Sequence, residues 1–417
     1  MAIRNRKIFM MTGMIIFLSV LSVVAVKSKP KVLVLGGTGR VGGSAVRALI
    51  AEDLIESIDV GGRSIDNYND LISRQPITKT AGFKEIDIYN DIVLRESIKD
   101  YDIIVNTAGP FQGLDTSPVL TACCDLGLTY LDVCDDIRLS NICRNEENQK
   151  LAKNTNAKAV ISTGIWPGAS SLLAKKLIDN KEYVNGVSNV DDVKFSFYTA
   201  GSGGAGKTIL TATFLLLGED VLCYDKGNKI YKDTATDLYT INFGDKIGDR
   251  EVARLNLIEC ESCGTHLLQG LNKNNDDISG VNVQTNFGTS PPFWNRLFAI
   301  MAKLIPKSLL KDRSAMDTFA AISLPMVRLV DSLVGSQNGI RVDIKTKNNE
   351  EWVGLLTHND LERAVGDAIA AFVMNVDLIP NGGIYFPEEV PNEEFGKNIL
   401  EFVSTRDCIE SRVFKKN

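Results

Sequence analysis

A glycine-rich turn is the segment of this sequence best suited to chemistry. Gly37, Gly39 and Gly42 have the spacing G-x-G-x-x-G, between an apolar run over 31–35 and a helical pattern over 44–52. In this spacing the glycines permit a tight turn, close approach of a pyrophosphate to the backbone, and packing of helix on strand. Free N–H groups at the helix N-terminus favour an anion. The residues predicted to contact a dinucleotide here are Gly37, Thr38, Gly39, Arg40, Val41 and Gly42.

The end of the next predicted strand, over 57–60, indicates which dinucleotide binds. An NAD-specific site carries Asp or Glu there, about twenty residues after the glycines, to hold the ribose hydroxyls. Here two glycines are followed by Arg63 and Ser64. Arg63 can pair with a 2′-phosphate and Ser64 can donate to it, so the sequence predicts NADP(H). The alternative is that Arg63 is a solvated surface residue.

The strands that must position these groups continue in alternation with helices, over 83–88, 101–106, 129–133 and 159–162. This order predicts a six-stranded Rossmann domain, a doubly wound parallel sheet, over residues 30–185. Ligands bind at the carboxyl edge of such a sheet. We therefore assign the loop residues Ala108, Gly109 and Pro110 to the cofactor and Phe111 to the substrate.

From residue 186 to 358 the pattern changes to alternating strands, over 193–198, 237–243, 252–257, 280–287, 340–344 and 352–356. They predict a second, mixed α+β domain for substrate binding and dimerisation. Hydride transfer also needs a partner for the proton. Asp132 and Asp136 lie just beyond a strand end at the binding edge, and Tyr198 ends the first strand of the second domain. These three are the predicted catalytic residues, although residues at such positions are more often structural.

A competing motif begins the second domain. Gly201–Thr208 matches G-x-x-x-x-G-K-[ST], the phosphate-binding loop of P-loop NTPases, and an apolar helical run follows it. No convincing strand ending in a magnesium-binding Asp follows downstream. We favour a glycine-rich interdomain loop in which Lys207 binds a substrate carboxylate, and keep the P-loop as an alternative.

Composition excludes several other functions. The formal charge is −6 with no basic stripe, which argues against a nucleic-acid partner. Eight cysteines are too few and too irregularly spaced for a disulfide framework. Cys260 and Cys263, with His266 nearby, lack a second ligand pair at workable spacing, so no metal site is predicted.

The N-terminal segment, residues 1–29, has a different composition. Residues 8–26 are uncharged and mostly apolar, following Arg4, Arg6 and Lys7. At ~1.5 Å per residue such a run nearly spans a bilayer core. It predicts a membrane anchor with the body facing cytosol or plastid stroma, where NADPH is supplied. The alternative is a plastid or secretory signal cleaved near Ala25.

A second apolar stretch, 293–310, carries interspersed basic residues. Such a stretch could lie on an anionic membrane surface, and it is also typical of a packed helix or a homodimer contact.

Four motifs together resemble one family. They are Gly36-Gly-Thr-Gly-Arg-Val-Gly42, Val60-Gly-Gly-Arg63, Val105-Asn-Thr-Ala-Gly-Pro-Phe111 and Tyr130-Leu-Asp132. This combination resembles the NADP-binding domain of the saccharopine dehydrogenase-like oxidoreductases, specifically over about residues 31–180. The resemblance implies that residues 359–417 return to the Rossmann domain as C-terminal helices. It also implies oxidation or reduction of a carbon–nitrogen bond between an amino acid and a keto acid, although many members act on other substrates.

The function predicted from the sequence is therefore an NADP(H)-dependent oxidoreductase with a small-molecule substrate. That substrate is either the C=N bond of an amino-acid and keto-acid adduct or a lipid-like carbonyl or enoyl group. The non-enzyme alternative is a membrane-tethered NADP-binding protein without catalysis.

Overall fold

Two β-sheets organise the chain in the computed structural model, which describes residues 29–416 except 54, 201–206 and 275–279. Seven strands form a parallel sheet in the order β15-β6-β5-β4-β1-β2-β3. Nine strands form a second, mixed sheet along the path β10-β11-β12-β7-β13-β14-β16, with β8 pairing β12 and β9 pairing β8. The predicted fold class, a Rossmann sheet with a second mixed domain, is confirmed.

Strands of the first sheet are β1 (Lys31–Leu35), β2 (Ser57–Gly62), β3 (Gly82–Glu85), β4 (Ile103–Asn106), β5 (Thr129–Asp132), β6 (Lys158–Val160) and β15 (Gly383–Tyr385). Strands of the second are β7 (Val190–Ala200), β8 (Val221–Asp225), β9 (Asn228–Lys232), β10 (Tyr239–Asn242), β11 (Asp249–Arg254), β12 (Asn282–Ser290), β13 (Gln337–Thr346), β14 (Glu351–His358) and β16 (Ile409–Lys416).

The helices before the second sheet are α1 (Arg40–Ala51), α2 (Ile65–Arg74), α3 (Asp91–Ile98), α4 (Pro118–Leu126), α5 (Ile137–Cys143), α6 (Glu146–Thr155) and α7 (Ala169–Asp179). Those after its first strand are α8 (Lys207–Leu216), α9 (Ile258–Asn274), α10 (Phe293–Leu304), α11 (Lys307–Leu310), α12 (Arg313–Val334), α13 (Leu361–Met374) and α14 (Glu393–Ser404). Short 3-10 turns cover Pro76–Thr80, Val187–Asn189, Val376–Leu378 and Pro387–Glu389.

The first strand is apolar throughout because both faces of its sheet are covered. Val32 and Val34 belong to one buried cluster, whereas Leu33 and Leu35 belong to another. Successive side chains of a strand point to opposite faces, so this division places one core on each side of the sheet. The glycine turn begins directly at the end of this buried strand.

The second sheet packs over the carboxyl edge of the first. Trp166, in the loop after β6, stacks on Phe197 of β7 with ring centroids 5.0 Å apart. Helix α7, which follows that loop, approaches β14 so closely that a Cβ atom at Gly354 would lie 2.8 Å from Leu173 Cγ. An interdomain cleft therefore lies directly at the edge where ligands bind.

The last part of the chain contributes to both sheets. Helix α13 packs on α1, and a Cβ atom at Gly366 would lie 2.5 Å from the Ser44 carbonyl carbon. Strand β15 adds to the free edge of β6, while β16 pairs antiparallel with β14 in the second sheet. The resemblance implies that residues 359–417 return to the Rossmann domain as helices. The last strand of this segment, β16, lies instead in the second sheet.

The predicted anchor, residues 8–26, lies outside the described residues. Among the residues that the structure does describe, no helix combines the length and the apolar character needed to cross a bilayer.

Candidate functional site

The turn between β1 and α1 has the features of an anion site. Gly36 has φ +74°, and its N–H donates to Gly61 O at 2.9 Å, which joins the turn to the end of β2. Gly39 caps α1 without a side-chain hydrogen bond, and the first turn of the helix carries no acidic residue. The first N–H groups of α1 are thus available to a pyrophosphate. These residues fit the dinucleotide predicted for them.

The third fingerprint glycine is required by close packing. A Cβ atom at Gly42 would lie 2.4 Å from Thr107 Oγ1 and 2.5 Å from the backbone oxygen of Gly36. Thr107 belongs to the loop after β4, and its hydroxyl donates to Leu35 O at 2.8 Å. Two loops of the site are therefore held against each other at Gly42.

Gly42→Ala should lower the free energy of unfolding by about 1–3 kcal/mol, because the new methyl group must displace backbone atoms. It should also weaken dinucleotide binding about tenfold or more, since the turn must shift. Urea unfolding and NADPH titration measure the two effects. Gly43→Ala is the matched control, because its methyl group would meet chiefly the end of the Leu71 side chain. Equal losses in both variants would contradict the proposed packing role.

At the end of β2, the structure places the predicted 2′-phosphate residues beside the glycine turn. A Cβ atom at Gly62 would lie 3.0 Å from Thr38 Cγ2. Arg63 is exposed and forms no ion pair with any described residue. Ser64 accepts a hydrogen bond from the Asn67 N–H at the start of α2, and its own hydroxyl hydrogen remains available.

Two further arginines surround the turn. Arg74, at the end of α2, donates to the backbone oxygen of Thr38 at 3.1 Å. Sequence analysis did not select Arg74, which lies eleven residues beyond Arg63 and has no motif of its own. Arg40 forms an ion pair with Glu362 in the first turn of α13. Its guanidinium therefore links the turn to the C-terminal segment.

The loop after β4 lies beside the turn, as predicted, but its aromatic residue is buried. A Cβ atom at Gly36 would lie 2.7 Å from Ala108 N, which shows how near residues 108–110 lie to the glycine turn. Phe111 packs in the core with 6% of its surface exposed. Arg313 of α12 donates to Pro110 O at 3.2 Å and to Gln112 O at 3.4 Å. The second half of the chain thus holds this loop in place.

Asp132 is at the carboxyl edge, where three hydrogen bonds hold its side chain. It accepts hydrogen bonds from Ser162 N–H at 2.7 Å, Cys134 N–H at 3.0 Å and the Tyr130 hydroxyl at 2.9 Å. Burial raises the pKa of this carboxyl to about 6, against the opposing effect of those donors. These bonds tie the loops after β5 and β6 together, which is a structural role.

Asp136 is also at this edge, as the N-cap of α5, where it accepts from Leu139 N–H at 2.6 Å. Burial raises the pKa of Asp136.

Tyr198 is not brought to the cleft. Because its neighbour Phe197 faces Trp166, Tyr198 points to the opposite face of the second sheet. There it packs on Phe243, and the Arg250 guanidinium lies 5.2 Å from its ring centroid. This geometry corrects the prediction that Tyr198 shares the site with Asp132 and Asp136. Successive side chains of a strand point to opposite faces of the sheet, and the ring of Tyr198 lies on the face away from the cleft.

Lys207 begins α8 and is half exposed. Its ammonium lies 3.8 Å from Asp317 of α12, and the Thr211 hydroxyl donates to the same carboxylate at 2.8 Å. The rest of the predicted phosphate loop, residues 201–206, lies outside the described residues, so the P-loop alternative and the substrate role of Lys207 stay predictions.

Two further carboxyls, which the sequence did not indicate, have raised pKa values and interact electrostatically. Burial raises the pKa of Asp135, just after β5, to about 6, and the nearby Asp136 raises it further. Burial also raises the pKa of Glu219, just after α8, to about 7. The charge of Asp136 and, to a smaller extent, that of Asp135 add to this rise in pKa, whereas the hydrogen bond from Asn256 and the charge of Lys311 oppose it. Both side chains remain partly exposed.

Neighbouring amides hold these two carboxyls. Asn256 Nδ2 donates to Glu219 at 2.6 Å. The side chain of Gln112 faces Asp135 and lowers its pKa. The pair consists of one group from each half of the molecule, which explains why no local spacing indicated it.

A deeper acidic pair lies behind the cleft. Glu259 accepts from the Ser170 hydroxyl at 2.8 Å, and burial raises its pKa to about 7. Glu388 is 2% exposed, and burial likewise raises its pKa to about 7. Within the described parts of the chain, no cluster of His, Cys, Asp and Glu has the geometry to hold a metal ion.

A dinucleotide turn on a Rossmann sheet, covered at its carboxyl edge by a mixed sheet, defines a two-domain α/β dinucleotide-binding protein. Residues 32–162 match the family described as "Saccharopine dehydrogenase NADP binding domain". Over these residues the chain is therefore saccharopine dehydrogenase-like, as the four sequence motifs predicted, and this match supports a nicotinamide dinucleotide as the ligand of the first domain.

Comparisons over the whole chain add the fold of the second domain. Apo saccharopine dehydrogenase (L-Glu forming) from Saccharomyces cerevisiae matches with a TM-score of 0.63 and 13% identity, covering 93% of this chain and 100% of that one. GenD2 from gentamicin A biosynthesis, in complex with NAD, gives a TM-score of 0.41 and 13% identity over 94% of this chain and 97% of that one. No curated protein matches the chain. At this identity the yeast structure shows a shared fold and no more.

Proposed function

We propose that the protein is an NADP(H)-dependent oxidoreductase. The observation that carries this proposal is the end of β2, where the uncommitted guanidinium of Arg63 and the hydroxyl of Ser64 lie beside the dinucleotide turn. No described carboxylate occupies the position that would bind the ribose hydroxyls of NAD. An arginine at that position matches a 2′-phosphate in charge and in its planar donor geometry.

Arg63→Ala should weaken NADPH binding by about 1.5–3 kcal/mol, the range for hydrogen bonds to charged groups, and leave NADH binding nearly unchanged. Isothermal titration of the full chain in detergent with each nucleotide measures this difference. Arg412→Ala, an exposed arginine on β16, is the control. Equal affinity of the unmodified protein for NADPH and NADH would overturn the cofactor assignment.

The proton that accompanies hydride transfer is assigned to Glu219, with Asp135 tuning it. A bound reduced nicotinamide would supply the hydride. Glu219 is suited to the proton because its pKa of about 7 leaves a substantial protonated fraction at neutral pH, and because it remains partly exposed to the cleft. Asp132 is less suited, since it is 1% exposed and already accepts three hydrogen bonds.

The charges of the cleft favour a neutral or amine-bearing substrate. The cations that act on this group of carboxyls are Lys311, which lowers the pKa of Glu219, and Arg138, which lowers that of Asp136 and is paired with Asp115. Arg313 is committed to backbone oxygens of the β4 loop. A dicarboxylate would meet few free cations here, so a carbonyl, enoyl or imine compound of low negative charge fits better than an adduct of two acidic partners.

A substrate panel tests the proposal against the alternatives. Full-length protein with NADPH is incubated with amino-acid and keto-acid pairs and, separately, with lipid carbonyl and enoyl compounds, and NADPH consumption is followed. Turnover of any member excludes the non-catalytic tethered protein. Failure of the whole panel, with NADPH still bound, would favour that alternative. Magnesium-dependent ATP binding that Lys207→Ala abolishes would instead support the P-loop.

A further inference from the structure

Residues 321–330 of α12 form a mostly apolar segment that is exposed or only partly buried. Between residues 321 and 330 no side chain is buried, although the segment reads Ala-Ile-Ser-Leu-Pro-Met-Val-Arg-Leu-Val. Ile322 is 72% exposed, and Met326 is 49% exposed. A helix that is apolar on all sides is normally enclosed by protein or lipid. Within the described structure nothing encloses this one.

The outer face of α10 has a matching character. Phe293, Ile300 and Leu304 are exposed there, Leu304 by 72%. Arg296 and Lys303 lie on the same face, since their positions recur at helical spacing with the apolar ones. Neither forms an ion pair with a described residue. Apolar and basic side chains thus share one exposed helical face.

The two helices are neighbours. Phe214 of α8 contacts Phe319 of α12 with ring centroids 4.8 Å apart and Phe298 of α10 at 6.4 Å. We call the exposed residues of α10 and those of α12 between residues 319 and 330 the α10–α12 surface. It extends beyond the stretch 293–310 that the sequence indicated, because Phe319, Ile322 and Met326 continue it.

Charge distinguishes between possible occupants of this surface. Residues 293–330 contain six basic residues and two acidic ones, although the chain as a whole has a charge of −6. A second copy docking face to face would bring like charges together. An anionic lipid surface would instead attract them, by about 1 kcal/mol per Lys or Arg near the membrane.

We propose that the α10–α12 surface docks the folded protein onto an anionic lipid bilayer. The helices lie in the interface, with Ile300, Leu304, Ile322 and Met326 entering the acyl boundary and Arg296 and Lys303 contacting phosphate headgroups. The proposal is independent of the nucleotide chemistry. It also does not require residues 8–26, which could anchor the chain without this surface touching lipid.

Photo-crosslinking tests the proposal on the full chain. The protein is reconstituted in vesicles of phosphatidylcholine and phosphatidylserine in equal parts, with a photoreactive acyl chain, and labelled peptides are identified by mass spectrometry. Peptides from α10 and α12 should be labelled. In the double variant Ile322→Asn/Met326→Asn, the labelling of the α10 and α12 peptides should fall at least about fivefold. The control is Ile92→Asn. Ile92 is 81% exposed on α3, outside the α10–α12 surface, so its substitution should leave the labelling of α10 and α12 unchanged.

A second variant tests the electrostatic part. Arg296→Gln with Lys303→Gln should reduce labelling of α10 and α12 about tenfold in the anionic vesicles, and vesicles of phosphatidylcholine alone should reduce it similarly for the unmodified chain. Labelling confined to residues 1–29 would overturn the proposal. A second outcome would also overturn it: the unmodified chain is a dimer, the double variant Ile322→Asn/Met326→Asn is a monomer, and both are labelled equally by lipid. The surface would then bind a second copy.

Discussion

Glu219→Gln should lower the rate of NADPH oxidation by about 10²–10⁴-fold, with whichever substrate the panel identifies, because the amide cannot donate the proton that accompanies hydride transfer. NADPH affinity should change little, since Glu219 lies in the second domain and outside the dinucleotide turn. Stopped-flow measurement of NADPH consumption under single-turnover conditions, together with titration of NADPH, separates the two effects.

The pH profile provides the more specific test. Reduction should slow as pH rises through about 7, where Glu219 loses its proton. Asp135→Asn removes a negative charge that raises the pKa of Glu219. The fall in rate should therefore occur at lower pH in this variant, without loss of activity. Asp220→Asn, the exposed neighbour that pairs with Lys307, is the control. An unchanged rate and profile in Glu219→Gln would contradict its role as proton donor.

The first domain could be predicted from sequence because its signals are local. The apolar run of β1, the glycine spacing and the following helix lie within about twenty residues, and each has one physical explanation. Five further Rossmann strands were also predicted. The seventh, β15, was missed, because a strand of three residues is too short to show periodicity.

Less of the second domain and of the cleft could be predicted. The hairpin of β8 and β9 carries exposed polar residues on its outer strand, and β16 is mostly exposed, so neither shows a clear apolar alternation. Tyr198 was placed on the correct strand but on the wrong face. Side chains alternate between the two faces of a strand, so either the odd-numbered or the even-numbered residues face the cleft. The sequence decides between them only when it is known which face of the sheet packs on the core.

The cleft carboxyls were missed for a different reason. Asp135 follows β5 directly, and the sequence drew attention to its neighbours Asp132 and Asp136 instead, which the structure shows engaged in hydrogen bonds. Glu219 has no motif at all. The charges of Asp136 and Asp135 reach it only in the folded protein, because these residues are more than eighty positions away in the sequence.

The second large effect concerns two adjacent glutamates behind the cleft, whose variants should change stability in opposite directions. Glu389 forms an ion pair with Arg144, whose Nη2 donates to both carboxylate oxygens, and it accepts from the Phe386 N–H at 2.9 Å. Glu389→Gln should therefore lower the free energy of unfolding by about 1.5–3 kcal/mol at pH 8. Glu388, one residue before it, is buried beside Glu259 without such a pair, and that burial raises its pKa to about 7.

Because the pKa of Glu388 is higher in the folded chain than in the unfolded chain, its contribution to stability is fully present below about pH 4.5 and is lost as pH rises towards 7. At pH 8 the folded protein holds a buried carboxylate at a cost of about 2–4 kcal/mol, which Glu388→Gln removes. We expect the variant to unfold at higher urea than the unmodified chain at pH 8, and at nearly the same urea at pH 5. His358, whose pKa burial lowers to about 4, weakens the fold as pH falls, but it does so in both proteins and cancels in the comparison. A Glu388→Gln variant that is less stable than the unmodified chain at pH 8 would show instead that the buried carboxylate is compensated in the folded protein.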